Sequence, residues 1–169
     1  HDDNDNRNFI LNFYPWFINI YDGYKKNIMR ADAVRYFYLL YYGGIYVDLD
    51  FECFKPVTPH ITDQFHLITN LKDWVSNAFM ISAPQQIIFK KIIVEGLLKN
   101  YNNENVLYAT GPGMLSRVLL PKYYTLLSQN ALNPKIFYPV KYNESFDSKY
   151  NNLNEDIVCV HHFAGSWIK

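Results

Sequence analysis

Two aspartates, Asp48 and Asp50, are separated by one residue at the end of the mostly apolar run 45–50. Alternate residues of a strand face opposite sides, so the two carboxylates would share one side with Tyr46, and the aliphatic residues would share the other. Two carboxylates this close repel each other unless a cation lies between them. Paired carboxylate oxygens suit Mg²⁺ or Mn²⁺, with substrate phosphates completing the coordination. The pair therefore predicts a divalent-cation site.

A second polar pair, Asp32 and Arg35, lies in the segment 28–42, whose apolar residues recur at helical spacing. Residues three apart share a helical face, so this pair forms a polar edge on a mostly apolar helix. The sequence alone leaves open a surface ion pair that contributes little to stability. The tripeptide D-x-D is also weak by itself, since it recurs at 3–5. The combination in fixed order, with the helix-ending glycines at 43–44 between the two pairs, favours a functional site.

The runs RADAVRY at 30–36 and YGGIYVDLD at 42–50 resemble the sugar-binding region with the DXD motif of glycosyltransferase family 32. That family includes fungal Golgi mannosyltransferases and the mannosyltransferases that act on inositol phosphoceramide. The latter are the most similar, through YPWF at 14–17 and the D-L-D-x-x-C segment that ends at Cys53. Related toxin glucosyltransferases share a similar D-x-x-R and G-G-x-Y-x-D-x-D pattern.

A third element lies near the C-terminus, where 157–162 reads as a buried central strand that ends in His161 and His162. Adjacent strand residues point to opposite faces, so only one of the histidines enters a given site. A lone histidine at a strand end is more often structural than a ligand. The run 161–167 nevertheless resembles the family's H-x-x-x-G-S-W motif. That match implies that His161 is a metal ligand and that Ser166 and Trp167 border the donor diphosphate.

The resemblance also implies roles for the other candidate site residues. Asp48 and Asp50 hold Mn²⁺ or Mg²⁺, and Asp32 accepts hydrogen bonds from sugar hydroxyls. Arg35 fixes the sugar or a phosphate oxygen. Tyr46 borders the nucleotide, and Asn77 touches the donor or the acceptor. The implied reaction moves a hexose, with mannose preferred, from a nucleotide sugar to a lipid or glycan acceptor with retention. GDP-mannose is the preferred donor, and a UDP-sugar is the alternative.

Two other function classes stay open. A metal-dependent phosphohydrolase could use Asp48, Asp50 and His161, although the sequence holds no further carboxylate cluster for a second metal. A sugar-nucleotide-binding domain without turnover is the other alternative.

The state of Cys53 and Cys159 is also left open, since sequence cannot distinguish two partly buried thiols from a disulfide.

Composition narrows the class of protein. The 169 residues are 49% hydrophobic and 18% aromatic, which predicts a single ordered domain. The formal net charge is zero and no basic block occurs, so nucleic-acid binding is not expected. No apolar run reaches membrane-spanning length and no signal peptide is evident, so no transmembrane segment is expected. By family analogy we expect a Golgi-lumenal location in a eukaryote and a cytoplasmic one in a virus or bacterium.

Alternating helical and strand patterns predict an α/β domain with a mixed, mainly parallel sheet flanked by helices. Ligands of such sheets bind outside the carboxyl ends of strands, where the predicted ligands fall. The resemblance implies a GT-A-like, Rossmann-like fold, with 1–169 as one catalytic domain. Because the chain begins with His1, we expect it to be N-terminally truncated, lacking the family's upstream nucleotide-binding strand. The predicted helices are 9–12, 16–21, 28–42, 85–98 and 114–120, and the predicted strands are 45–50, 65–69, 77–82, 136–138 and 157–162.

Overall fold

A four-stranded sheet and a separate two-stranded sheet form the framework of the computed structural model, which describes residues 2–140 and 156–164. The strands are β1 (Gly44–Val47), β2 (Phe51–Cys53), β3 (Phe65–Thr69), β4 (Val75–Ser82), β5 (Ala131–Leu132) and β6 (Cys159–His161). The larger sheet has the order β1-β4-β3-β5, and β2 pairs with β6. Strand β3 matches its prediction, and β4 starts two residues earlier than predicted.

The strand directions correct one prediction. The mixed α/β arrangement is confirmed, but among the described strands only β3 and β5 run parallel. The pairs β1–β4, β3–β4 and β2–β6 are antiparallel. The link from Thr69 to Val75 is too short for a parallel crossover, which needs a dozen or more residues, so β3 and β4 form a hairpin. The strand predicted over 157–162 is buried as expected, but among the described strands it pairs with β2 alone instead of lying in the middle of a larger sheet.

Helices cover this framework. They are α1 (Asp3–Phe13), α2 (Ile18–Gly23), α3 (Asn27–Tyr41), α4 (Ile87–Lys91), α5 (Leu98–Asn100), α6 (Val106–Ala109), α7 (Pro112–Gln129) and α8 (Pro134–Phe137). A π-helical turn at Ile92–Leu97 joins α4 to α5. The three pieces form one helical segment from Ile87 to Asn100, which corresponds to the predicted helix 85–98. None of the described helices is both long and apolar enough to span a lipid bilayer.

Helix α1 begins six residues before the predicted start at 9. Asp2 caps it, because the Asp5 backbone N–H donates to Asp2 Oδ1 over 2.8 Å and the Asp2 N–H donates to Asp5 Oδ2 over 3.3 Å. This reciprocal pair satisfies backbone donors that a helix start otherwise leaves without a partner. The polar segment that the prediction places outside the helix is therefore its first turns.

The structure corrects two predictions in the C-terminal half of the chain, a helix end and a strand. Helix α7 continues through Pro121, the predicted end. It kinks two residues later at Tyr123, where φ is −120° and ψ is 23°. The predicted strand 136–138 falls on α8 instead. Pro134 occupies the first turn of that helix, and the Asn133 side chain accepts a hydrogen bond from the Lys135 N–H over 3.0 Å.

The core consists of two main apolar clusters on opposite faces of β3 and β4. Leu67 and Met80 belong to the cluster that includes α1, α3 and α7. Ile68 and Phe79 belong to a smaller cluster with Cys159 of β6. Because alternate strand residues face opposite sides, these central strands are covered on both faces, and every residue of each is buried.

Gly43 connects α3 to the sheet. Its φ of +69° lets the chain turn from the helix into β1, and its N–H donates to Leu39 O over 3.1 Å, which confirms the predicted helix stop. A Cβ atom at Gly43 would lie 2.7 Å from both Pro84 N and Ser82 O. Gly44 has a φ of +99°, but its Cβ position has no neighbour within 4 Å. Both the backbone angle and the close packing therefore require glycine at position 43.

We expect Gly43→Ala to lower the free energy of unfolding by about 3 kcal/mol, since a left-handed residue and a backbone clash add up. Gly44→Ala is the matched control and should cost only about 1 kcal/mol, because it carries backbone strain without the clash. Urea denaturation of the two variants measures the difference. Equal losses would show that the contact with the Ser82–Pro84 segment relaxes without cost.

Candidate active site

The two aspartates of the D-x-D motif lie on a turn between β1 and β2, which corrects the single strand predicted over 45–50. Strand pairing with β4 ends at Val47, and the Phe51 N–H then donates to Asp48 O over 3.2 Å, closing a turn. The chain leaves β4 here to pair with β6, so the turn rather than the strand pleat brings the carboxylates together. Leu49, between them, is 105% exposed.

The predicted alternation within β1 is confirmed, but the aliphatic side of the strand faces outward. Ile45 is 50% exposed and Val47 is 39% exposed. Tyr46 instead packs against the larger core cluster. Its hydroxyl donates to Asp48 Oδ1 over 2.7 Å, so Tyr46 and Asp48 share a side as predicted.

Asp48, Asp50 and His161 form one cluster. Each offers a ligand atom, and these three atoms all lie within 4.8 Å of one another. The β2–β6 ladder is responsible, since Phe51 is directly opposite His161 and the His162 N–H donates to Asp50 O over 2.9 Å. His161 Nε2 lies 3.0 Å from Asp50 Oδ1. The fold thus joins residues separated by more than a hundred positions.

Two aromatic residues orient His161. Its Nδ1 lies 2.7 Å from the Tyr138 hydroxyl, and its ring stacks on Phe51 with centroids 4.5 Å apart and planes 8° apart. With the proton on Nδ1 and donated to Tyr138, Nε2 keeps a lone pair directed toward the carboxylates. Burial lowers the pKa of His161, although Asp50 opposes this shift, so the imidazole favours its neutral, ligating form.

His162 points away from this cluster. Its Nε2 lies 3.0 Å from Glu52 Oε2 at the exposed side of the ladder. The adjacent histidines therefore have different surroundings, as strand geometry predicts.

Asp32 and Arg35 form a buried ion pair instead of a surface pair. Arg35 Nη2 lies 2.9 Å from Asp32 Oδ1, and the two residues are 4% and 5% exposed. Arg35 Nη1 also donates to Asp48 Oδ1 over 3.2 Å, and its guanidinium lies 4.3 Å from the centroid of the Tyr46 ring. Arg35 consequently ties α3 to the turn that carries the aspartates.

Both oxygens of Asp32 have protein partners. Asn77 Nδ2 donates to Oδ1 over 3.0 Å, and Thr110 Oγ1 donates to Oδ2 over 3.1 Å. The backbone oxygen of Asn77 also accepts from Arg35 Nη1 over 2.9 Å. Burial raises the pKa of Asp32, and the Arg35 charge opposes that shift. Asp32 thus serves in this structure as the buried partner of Arg35, and its predicted contact with sugar hydroxyls stays a prediction.

Thr110 and Tyr138 are site residues that sequence reasoning did not select. Thr110 lies 78 positions from Asp32, and Tyr138 lies 23 positions from His161. No residue spacing points to either contact. Ser166 and Trp167, the predicted neighbours of the donor diphosphate, lie outside the described residues.

The cluster fits a hard divalent cation. Asp48 and Asp50 supply carboxylate oxygens, and His161 supplies a neutral nitrogen, a donor set that suits Mn²⁺ and tolerates Mg²⁺. One oxygen of Asp48 is already held by Arg35 and Tyr46, which fixes the carboxylate plane. Its other oxygen has no hydrogen-bond partner among residues 2–140 and 156–164. Within the described residues, this arrangement fixes the Asp48 carboxylate and leaves its second oxygen available to a cation.

The N-terminal part of the chain matches a known protein family. The family model described as the glycosyltransferase sugar-binding region containing the DXD motif matches residues 1–79. That range includes Asp32, Arg35, Asp48 and Asp50, and excludes His161.

Two yeast proteins are similar over most of the chain. Mannosyl phosphorylinositol ceramide synthase CSH1 of Saccharomyces cerevisiae is 37% identical over 151 residues, which cover 83% of this chain and 39% of that protein. Inositol phosphoceramide mannosyltransferase 2 of Schizosaccharomyces pombe is 37% identical over 145 residues, which cover 78% of this chain and 38% of that protein. The chain thus spans less than two fifths of the length of these relatives.

Among solved structures, PaToxG Glycosyltransferase superposes with a TM-score of 0.54 at 22% sequence identity. The superposition covers 70% of this chain and 44% of that one. It shows a shared GT-A-like α/β fold. The chain therefore carries, over residues 1–79, the glycosyltransferase sugar-binding region that contains the DXD motif.

Proposed function

We propose that this chain carries the site of a metal-dependent hexosyltransferase, preferably a mannosyltransferase, that takes its sugar from a nucleotide donor. The cluster of Asp48, Asp50 and His161 is the observation that carries the proposal, since its donor set suits the cation of a nucleotide diphosphate. The proposal treats residues 1–169 as one catalytic domain.

The acceptor is proposed to be an inositol phosphoceramide lipid. Two similar proteins are named for synthesis of mannosyl phosphorylinositol ceramide and for mannosyl transfer to inositol phosphoceramide. GDP-mannose is the corresponding donor, and a UDP-sugar with a glycan acceptor is the alternative that the test below separates. A Golgi-lumenal location belongs to the same proposal.

In this proposal Asp48, Asp50 and His161 hold Mn²⁺ or Mg²⁺, which as a Lewis acid would stabilise the negative charge on the leaving diphosphate. Arg35 and Tyr46 fix the plane of the Asp48 carboxylate through hydrogen bonds of 3.2 and 2.7 Å. The Tyr138 hydroxyl, 2.7 Å from Nδ1, would accept the His161 proton there and leave Nε2 for the cation. Because these partners are in place before the donor binds, little reorganisation accompanies the reaction.

Retention of anomeric configuration is also part of the proposal. The bond from the anomeric carbon to the diphosphate breaks through an oxocarbenium-like state, as in glycoside hydrolysis. The acceptor hydroxyl then bonds on the same face, and its proton passes to the leaving phosphate oxygen. This front-face path needs no protein nucleophile.

Product analysis tests the function. The 169-residue chain is incubated with Mn²⁺, inositol phosphoceramide in detergent micelles, and either GDP-mannose or UDP-glucose. We expect mannosylated lipid from GDP-mannose. Mannose 1-phosphate and GMP without lipid product would indicate a phosphohydrolase, because such an enzyme breaks the phosphoanhydride bond and leaves the bond to the anomeric carbon intact. Donor binding without turnover would indicate a sugar-nucleotide-binding domain; either result would overturn the proposal.

His161→Ala should raise the Mn²⁺ concentration for half-maximal donor binding by at least about tenfold, because a ligand is lost. His162→Ala is the matched control, since its imidazole faces Glu52, and it should leave the Mn²⁺ requirement unchanged. Calorimetric titration of Mn²⁺ in the presence of GDP-mannose compares the two. A shift in the His162 variant alone would transfer the ligand role to His162.

A further inference from the structure

Two cysteines face each other across the β2–β6 ladder that supports the metal ligands. Cys53 is the last residue of β2, and it is directly opposite Cys159, the first residue of β6. Their sulfur atoms lie 2.9 Å apart. Cys53 is exposed, whereas Cys159 is buried in the smaller apolar cluster. One thiol is therefore open to a reagent and the other is placed to react with the first.

The hydrogen-bond pattern places this pair at a favourable position for a disulfide bond. The His162 N–H donates to Asp50 O over 2.9 Å, and the Phe54 N–H donates to Val158 O over 2.8 Å. Hydrogen-bonded and non-hydrogen-bonded pairs alternate along an antiparallel ladder, so Cys53 and Cys159 form a non-hydrogen-bonded pair. The Cα atoms of such pairs are about 4.5 Å apart, which lies within the range that a disulfide spans.

We propose that Cys53 and Cys159 are a redox-active pair that forms an intrachain disulfide, and that this bond rigidifies the ladder holding His161 beside Asp50. The oxidant is a small-molecule or protein disulfide. The Cys53 thiolate attacks one sulfur of the oxidant, which forms a mixed disulfide and releases one thiol. The Cys159 sulfur, after losing its proton, attacks Cys53 Sγ and releases the second thiol. Two electrons and two protons thus pass from the cysteines to the oxidant.

The small size of the β2–β6 ladder is a reason to expect that a covalent bond stabilises it. In the part of the chain that the structure describes, the ladder contains three residue pairs, and two-stranded sheets of this size are marginally stable alone. Phe51 and His161 form the neighbouring pair on the same face as the cysteines. A bond at Cys53–Cys159 would therefore restrain the ladder at the end opposite the Asp50 turn, two positions from the Phe51–His161 pair. It also closes a long loop in the unfolded chain, which raises the stability of the folded form.

The test equilibrates the 169-residue chain in glutathione buffers of increasing oxidation, without metal or donor. We expect alkylation to find two thiols in the reduced chain and none in the oxidised one. Peptide mapping without reductant should show the Cys53 and Cys159 peptides joined. The melting temperature should rise by at least about 5 °C on oxidation and fall back with dithiothreitol. Two free thiols, or glutathione retained on Cys53, under the most oxidising buffer would overturn the proposal.

Amide hydrogen exchange tests the rigidity that the proposal assigns to the ladder. Exchange of the His162 amide, which donates to Asp50 O, should slow by at least about tenfold on oxidation. Cys53→Ser is the matched control, because its thiol is exposed and its replacement leaves the buried Cys159 in place. This variant should show no redox change in exchange or melting. Equal exchange in the oxidised and reduced parent chain would overturn the effect on the ladder, whatever the outcome of the transferase assay.

Discussion

Asp50→Asn is expected to lower the Mn²⁺-dependent affinity for GDP-mannose by at least about a hundredfold while leaving the fold intact. The substitution removes one of two carboxylates in the cluster and keeps an oxygen that can accept from the Ala164 N–H, which lies 2.8 Å from Asp50 Oδ2. Loss of a direct charged ligand should exceed the tenfold to hundredfold effect of losing an outer contact. It also relieves repulsion between Asp48 and Asp50, so folding should not suffer.

Calorimetry with Mn²⁺ and GDP-mannose measures this affinity, and thermal unfolding measures the fold. Glu52→Gln is the matched control, since it neutralises a nearby exposed carboxylate of β2 that lies outside the cluster. It should change neither quantity appreciably. Unchanged Mn²⁺-dependent affinity in Asp50→Asn would refute the metal role.

Arg35→Met should lower the free energy of unfolding by about 3–5 kcal/mol, because it leaves the buried Asp32 carboxylate without its cation. The double variant Asp32→Asn/Arg35→Met removes both charges and should recover a large part of that loss. Urea denaturation of both single variants and the double variant gives the coupling between the two side chains. Additive losses would show that the ion pair is not the main reason for the destabilisation.

The loss in Arg35→Met should depend on pH in a defined direction. Burial already raises the pKa of Asp32 above its usual value of 3.8, and removing Arg35 raises it further. A group whose folded pKa exceeds its unfolded pKa favours the folded state below the unfolded pKa, and that contribution is lost as pH rises through the folded pKa. The deficit of the variant should therefore be large at neutral pH and shrink as pH falls toward about 4. A deficit independent of pH would contradict an uncompensated Asp32 charge.

The same variants bear on Asp32 as a sugar-binding residue. If Asp32→Asn weakens binding of GDP-mannose more than binding of GDP, the carboxylate contacts the sugar as predicted. Equal losses would restrict Asp32 to its structural contacts with Arg35, Asn77 and Thr110.

The sequence alone determined those features that depend on neighbours along the chain. Helix α3, its end at Gly43 and the strand Phe65–Thr69 all follow from residue periodicity and from the conformational freedom of glycine. The order of D-x-x-R, glycines and D-x-D in addition predicted the sugar-binding region that the family model matches. These signals are local, so they survive without knowledge of how the elements pack.

Tertiary structure decided which distant residues meet. The turn at 48–50 forms because β1 ends its pairing with β4 and β2 begins to pair with β6, a change that depends on a strand more than a hundred residues away. For the same reason the antiparallel sheet, the Thr110 contact with Asp32 and the Tyr138 contact with His161 could not be predicted from spacing. Burial also made the Asp32–Arg35 pair a structural element, because its strength depends on the exclusion of water by residues from other elements. Helical spacing places two charges on one face, but only packing decides whether water reaches them.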